Sequence, residues 1–122
     1  MLQTLSLYAI AAMFTAAGVA HFVKPDVFVP LVPSYLPAPK LLVYVSGVFE
    51  VLGGLGVLLS SVRVYAGWGL IAMLAVFLVV HIYMVRDPDG RFEALPTWML
   101  WVRIPLQFAL MAWVYWAVIL GG

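Results

Sequence analysis

Residues 41–59 read LLVYVSGVFEVLGGLGVLL, an apolar run with no basic side chain and a single acidic one, Glu50, near its middle. A run of about 20 apolar residues rising 1.5 Å each crosses the hydrocarbon of a bilayer, so the stretch predicts a membrane helix. A carboxyl group at that depth is expensive and marks a candidate functional site. What Glu50 meets inside the membrane is then the central question. The chain offers four polar candidates: His21, His81, Arg103 and Gln107.

Three more windows have the same character: residues 2–23, 65–85 and 98–120. The first ends at Lys24-Pro25-Asp26 and the third at Arg86-Asp87-Pro88-Asp89-Gly90. Hydrophobic residues make up 66% of the 122, charged residues 9%, and the mean hydropathy is +1.14. A soluble fold of this size cannot hide so much apolar surface, so lipid must solvate it. The expectation is one domain over residues 1–122, all-α, a transmembrane antiparallel four-helix bundle of up-down-up-down course, because short linkers make sequential helices neighbours. It belongs in a cell membrane, bacterial or archaeal, as a multi-pass protein. No Lys or Arg precedes Lys24, so the first segment reads as a retained span, not a secretory leader.

The net charge of +1 gives no footprint for nucleic acid. The absence of cysteine removes disulfides, thiolate nucleophiles and iron–sulfur clusters from this chain's own chemistry, and no metal site is expected. Gly53-Gly54-x-Gly56 is no nucleotide loop, since it lies inside a span with no strand before it.

The linkers differ. Residues 60–64 predict a tight turn. Residues 24–40 carry Pro25, Pro30, Pro33, Pro37 and Pro39, which forbid a continuous helix. Leu31, Val32, Tyr35 and Leu36 make that linker apolar enough to lie at the interface or cap the bundle. Trp68, Tyr83, Trp98, Trp101, Trp113, Tyr115 and Trp116 fall near span ends, where interfacial aromatics belong. Lys24, Lys40, Arg86 and Arg91 read as headgroup anchors. Small residues predict the close helix contacts: Ala12, Ala16 and Ala20 in the first span, Gly47, Gly53, Gly54 and Gly56 in the second, Gly67, Gly69, Ala72 and Ala75 in the third. They suit a monomer core or a homodimer equally. A weak internal echo joins His21 with Lys24-Pro25-Asp26 to His81 with Arg86-Asp87-Pro88, and hints at two hairpin repeats.

Four alternating spans would put the end of the first, the start of the second, the end of the third and the start of the fourth on one side. His21 and His81 are near that side. Arg103 is then roughly 8 Å deep and Glu50 roughly 14 Å deep, at 1.5 Å per residue. Gln107 follows Arg103 by one helical turn on the same face. Pro105 cannot donate to the Trp101 carbonyl, so the fourth helix should kink there and leave an acceptor free. These five groups outline a half-buried polar pocket for a small polar head on an apolar body. Structural readings stand beside it. Glu50 and Arg103 make a buried ion pair that fixes register, or a protonated Glu50 simply hydrogen-bonds. Either histidine is an interfacial residue solvated at a span end. Haem, held by His21 and His81 as paired axial ligands, is a minor alternative.

Gly18-Val19-Ala20-His21-Phe22 with Pro25 and Val32-Pro33 resembles the first-helix signature of DoxX-like membrane proteins. Residues 46–56, SGVFEVLGGLG, and Arg103-Ile104-Pro105-Leu106-Gln107 resemble the second- and fourth-helix motifs. The similarity covers nearly the whole chain. His81-Ile82-Tyr83-Met84 departs from it, since asparagine is expected at position 81. The resemblance implies a four-helix membrane bundle. The family takes its name from a subunit of a thiosulfate:quinone oxidoreductase. Relatives belong to membrane redox assemblies, and a distant animal relative assists assembly of nicotinic receptors.

Two functions are therefore weighed. One is a subunit or accessory of a membrane oxidoreductase that binds a quinone-like or lipid-like small molecule, with quinone as the candidate cofactor. Its site would be His21, Glu50, His81, Arg103 and Gln107, with Arg103 holding a carbonyl or anion and the histidines and Glu50 passing protons. The other is an assembly factor, packed against another membrane protein, with no chemistry of its own. A transporter is a third possibility, and a bundle this small would need to oligomerise. Lys24, Lys40, Arg86 and Arg91 on the long-loop side place those loops in the cytoplasm by the positive-inside rule, although compact even-span proteins often keep both ends inside.

Overall fold

Proline and glycine set where the helices begin and stop. The first long helix, α1, covers Leu2–Val23 and ends just before Pro25. Pro25 opens a single short turn, α2 (Pro25–Phe28), which tightens into a 3-10 turn over Val29–Leu31. The proline-rich linker thus holds only fragments of helix, as its sequence requires. Pro39, pre-set for a first helical position, starts α3 (Pro39–Gly56). Then come α4 (Arg63–Arg86) and α5 (Thr97–Val114), with α5 widening into π turns over Tyr115–Leu120. These are read from a computed structural model that describes residues 1–87, 90 and 92–121, among which there is no strand. Arg91, expected as a headgroup anchor, lies outside the described residues, as do Pro88 and Asp89 of the third linker.

Four helices are long and apolar enough to cross a membrane: Leu2–Val23, Pro39–Gly56, Arg63–Arg86 and Thr97–Leu120. The most apolar stretch of each is only 22% to 33% buried within the protein, so most of its surface is left for lipid. This is the composition and exposure of a multi-pass membrane protein.

The expected turn at residues 60–64 is shifted. α3 stops at Gly56, not Leu59, and α4 already includes Arg63 and Val64. Arg63 explains the shift. Its Nε donates to the Val57 carbonyl at 2.7 Å and its Nη2 to the Leu58 carbonyl at 3.4 Å, which satisfies acceptors left over at the end of α3. At the other end of α4, Asp87 adopts φ 43° and closes the helix. Its Oδ2 accepts the Phe92 N–H at 3.1 Å, and Phe92 packs edge-on against Tyr83, ring centroids 6.0 Å apart. Tyr83 is therefore a core residue, 5% exposed, and not the interfacial aromatic its position suggested. Trp68, Trp98, Trp101, Tyr115 and Trp116 do face outward. Trp113 is half-buried and its indole N–H donates to Ser6 Oγ at 3.1 Å. Helix α5 runs through Pro105 with no break in its assignment, and Pro105 itself is exposed.

Contacts between helices pair rising residue numbers with falling ones. Along α1 and α3, Gly54 lies against Ala11 and Thr15, and Gly47 against Gly18 and His21. Along α3 and α4, Gly53 meets Leu70 and Gly56 meets Ala66. Along α4 and α5, Gln107 reaches Leu74 and Arg103 reaches Met84. Each of these pairs is antiparallel. Helices α3 and α5 are not packed neighbours.

The α1–α3 contact is backbone on backbone. A Cβ at Gly18 would sit 2.7 Å from the Gly47 carbonyl oxygen, and one at Gly54 would sit 2.9 Å from the Thr15 nitrogen. In lipid, where no hydrophobic drive joins helices, such small-residue faces supply the packing. The glycines of α3 were expected in this role. The Ala12, Ala16, Ala20 stripe was too, but Ala12 and Ala16 are exposed and the packed face of α1 is Ala11, Phe14, Gly18 and His21. The expectation failed because a four-residue stripe drifts around a helix of 3.6 residues per turn, and composition does not say which stripe turns inward.

The two ends of the bundle differ. Ile10, Phe14, Val57, Leu70, Leu74, Val114 and Val118 make a packed core in the half that holds both termini. Tyr83, Met84, Phe92 and Leu100 make a smaller cluster at the other end. Gly18→Ala should lower the melting temperature in detergent, by an overpacking cost of about 1–3 kcal/mol. Gly69→Ala should leave it unchanged or raise it, since a Cβ there meets nothing within 4 Å and alanine is the better helix former.

Candidate functional site

Glu50 is 4% exposed, buried from lipid on the face of α3 that meets α1. Its Oε2 lies 3.1 Å from Nδ1 of His21, the only approach of a basic and an acidic side chain within 4 Å among the described residues. The approach follows from the glycines: Gly47 and Gly18 hold the two backbones close, and the next turn of each helix brings His21 and Glu50 face to face. The His21 Nδ1–H is nevertheless committed elsewhere. It donates to the Ala17 carbonyl at 2.6 Å, because a carbonyl can only accept. The Glu50 carboxyl is left beside a donor that points away, with its Oε2 buried and without a hydrogen bond. The ring of His21 is held flat against Phe28 of α2, centroids 4.0 Å apart.

The second histidine works differently. His81 Nε2 lies 3.1 Å from Gln107 Oε1, and Gln107 Nε2 lies 2.8 Å from the Leu74 carbonyl. The Leu74 carbonyl needs a donor, which orients the Gln107 amide and turns its oxygen towards His81. Nε2 of His81 must then carry the proton. Nδ1 of His81 is left buried with no partner.

A cavity of about 720 Å³ joins these two sites. Its walls come from α1 (Ala17, His21), the proline-rich linker (Phe28, Leu31, Val32, Pro33, Leu36), α3 (Val43, Ser46, Phe49, Glu50) and α4 (Ala72, Met73, Val76, Phe77, His81). His21, Glu50 and His81 are its ionisable groups; nearly everything else is apolar. Val45, Phe49 and Val76 line it and are also exposed, so it opens sideways between α3 and α4 onto the lipid face. A second hollow of about 320 Å³ follows on, sharing Phe49, Gly69 and Met73 and reaching Val62 and Tyr65.

Of the five residues expected at the site, the structure brings His21, Glu50 and His81 to one cavity. Gln107 stands behind His81 and sets its tautomer. Arg103 is not part of the cavity lining; its Nη1 lies 3.5 Å from the Met84 sulfur. The expected Glu50–Arg103 ion pair does not form. Arg103 is on α5, which packs on α4 and not on α3, so the two charges sit on helices that are not neighbours. For the haem alternative, Nε2 of His81 is hydrogen-bonded to Gln107, which leaves Nδ1 as the free nitrogen of that ring. No group of three or more metal-ligating side chains exists among the described residues. Two residues of the site were missed. Ser46 lies one turn before Glu50 and was legible from that spacing. Phe28 was not, because nothing local ties a linker phenylalanine to a histidine in another element.

The chain belongs to the family described as a domain of unknown function (DUF8561), whose model matches residues 10–118. No curated protein and no solved structure matches it.

The two histidines should show opposite tautomers by imidazole ¹⁵N NMR in detergent, Nδ1–H for His21 and Nε2–H for His81. Gln107→Leu should erase the preference at His81 alone. It should also destabilise by about 1–3 kcal/mol in thermal unfolding, since the Nε2–H of His81 loses its acceptor.

Proposed function

We propose that this chain is a DoxX-like membrane subunit that takes a quinone-like or lipid-like amphiphile from the bilayer, as a component or accessory of a membrane oxidoreductase. The polar head lies against His21, Glu50 and His81. The apolar tail follows the groove between α3 and α4. The observation that carries this reading is a buried carboxyl group with no hydrogen bond beside an apolar cavity that opens to lipid. A charged side chain at membrane depth costs about 2.5–3.5 kcal/mol even on insertion scales. A fold retains that cost without internal satisfaction where a ligand supplies the missing partner.

The shape of the groove supports the same reading. From His81 back to Ala66, at the far hollow, α4 covers roughly 22 Å at 1.5 Å per residue, which is room for an acyl or isoprenoid chain. Polar groups few in number at one end and apolar walls elsewhere are the ordinary make-up of a small-molecule site. The chain has no cysteine, so any electrons transferred belong to the ligand or to a partner protein.

Gly69 offers the test. It lines both hollows, and a side chain there meets no neighbour at its Cβ. Wild-type protein purified in mild detergent should release about one amphiphile per chain on solvent extraction, identified by mass spectrometry. Gly69→Leu should fold normally and release markedly less. Equal release from both variants removes the groove as the binding site. An empty wild-type protein that co-purifies with a stable protein partner supports an assembly role instead.

A further inference from the structure

Building on the amphiphile reading, we infer that the bound molecule presents a hydrogen-bond donor to this site: an alcohol or phenol head on an apolar tail, not a head made of carbonyls alone. The argument is one of hydrogen-bond polarity. The Leu74 carbonyl takes a proton of the Gln107 amide, the Gln107 oxygen takes the proton on Nε2 of His81, and the neutral ring ends in a lone pair on Nδ1. That nitrogen is buried with no partner. His21 repeats the pattern in the other sense: its proton sits on Nδ1 and goes to the Ala17 carbonyl, so its Nε2 is the lone pair. Glu50 Oε2, facing His21, is also buried without a partner, and when the carboxyl is ionised it too can only accept.

Nδ1 of His81 and Nε2 of His21, and Glu50 when it is ionised, therefore want a proton. An ester or an oxidised quinone brings only more lone pairs and leaves the buried acceptors unpaired. A hydroxyl group satisfies one of them directly, and a diol or dihydroxy ring can satisfy two. A site whose buried polar groups are left unpaired by the wrong ligand discriminates strongly against it.

The test compares two probes with one tail, 1-hexadecanol and its methyl ether, against the full chain in detergent, by native mass spectrometry at matched probe concentration. The alcohol should bind roughly tenfold more tightly or better, one hydrogen bond's worth. Gly69→Leu should abolish binding of both probes. His81→Phe should bring the alcohol-to-ether ratio towards one while tail binding persists. The wild-type ratio decides the matter even where His81→Phe fails to fold. Equal binding of the two probes, or preference for the ether, with both still blocked by Gly69→Leu, overturns the donor inference and leaves the amphiphile site standing. Binding of neither probe, or binding indifferent to Gly69→Leu, overturns both.

Discussion

Two helix backbones touch where neither has a side chain. Gly18 on α1 and Gly47 on α3 allow an approach in which any Cβ would collide with the opposite carbonyl or side chain. Gly54 repeats the contact further along, against Ala11 and Thr15. Lipid offers no hydrophobic reward for joining helices, so contact area and close fit have to do it. The same approach decides the chemistry. One turn from the glycine contact, it draws His21 and Glu50 to 3.1 Å and buries the carboxyl group in the wall of the cavity.

The second hairpin, α4 with α5, carries a parallel arrangement with a different outcome. In each hairpin a histidine near the end of the first helix faces a polar side chain on the second: Glu50 for His21, Gln107 for His81. The amide of Gln107 is used at both ends, once as donor and once as acceptor. The carboxyl of Glu50 lies beside a nitrogen whose proton already belongs to Ala17. Gln107 is thus satisfied at both ends, while Nδ1 of His81 and Oε2 of Glu50 are left without partners, and the cavity lies where the two hairpins meet.

Packing and openness are divided between the halves of the molecule. The half with the termini is filled by Ile10, Leu70, Val114 and Val118, helped by Gly67, where Val118 occupies the space a Cβ would need. The half with the long linkers has the histidines, the acid and the larger hollow, and the smaller hollow extends from it along α3 and α4 to Val62 and Tyr65. The opening between α3 and α4 is lateral and flanked by the exposed apolar side chains Val45, Phe49 and Val76.

Residues and their order alone determined four apolar helices, the interruption by five prolines between the first and second, and the oddity of an acid in mid-span. These are local properties: hydropathy over a helix length, the missing N–H of proline, the dehydration cost of a carboxylate. They also put His21, His81, Glu50, Arg103 and Gln107 in one half of the bilayer, because alternating spans leave little freedom over which ends share a side. Tertiary structure decided which of these groups meet. Arg103 was the natural counter-charge for Glu50 by depth, yet it lies on a helix that does not pack on α3, and His21 takes its place. Depth is set by the position of a residue in its own helix. Partnership is set by the rotation of each helix about its axis and by which helices are adjacent. Both depend on the fit of glycines and side chains across surfaces that no single segment contains.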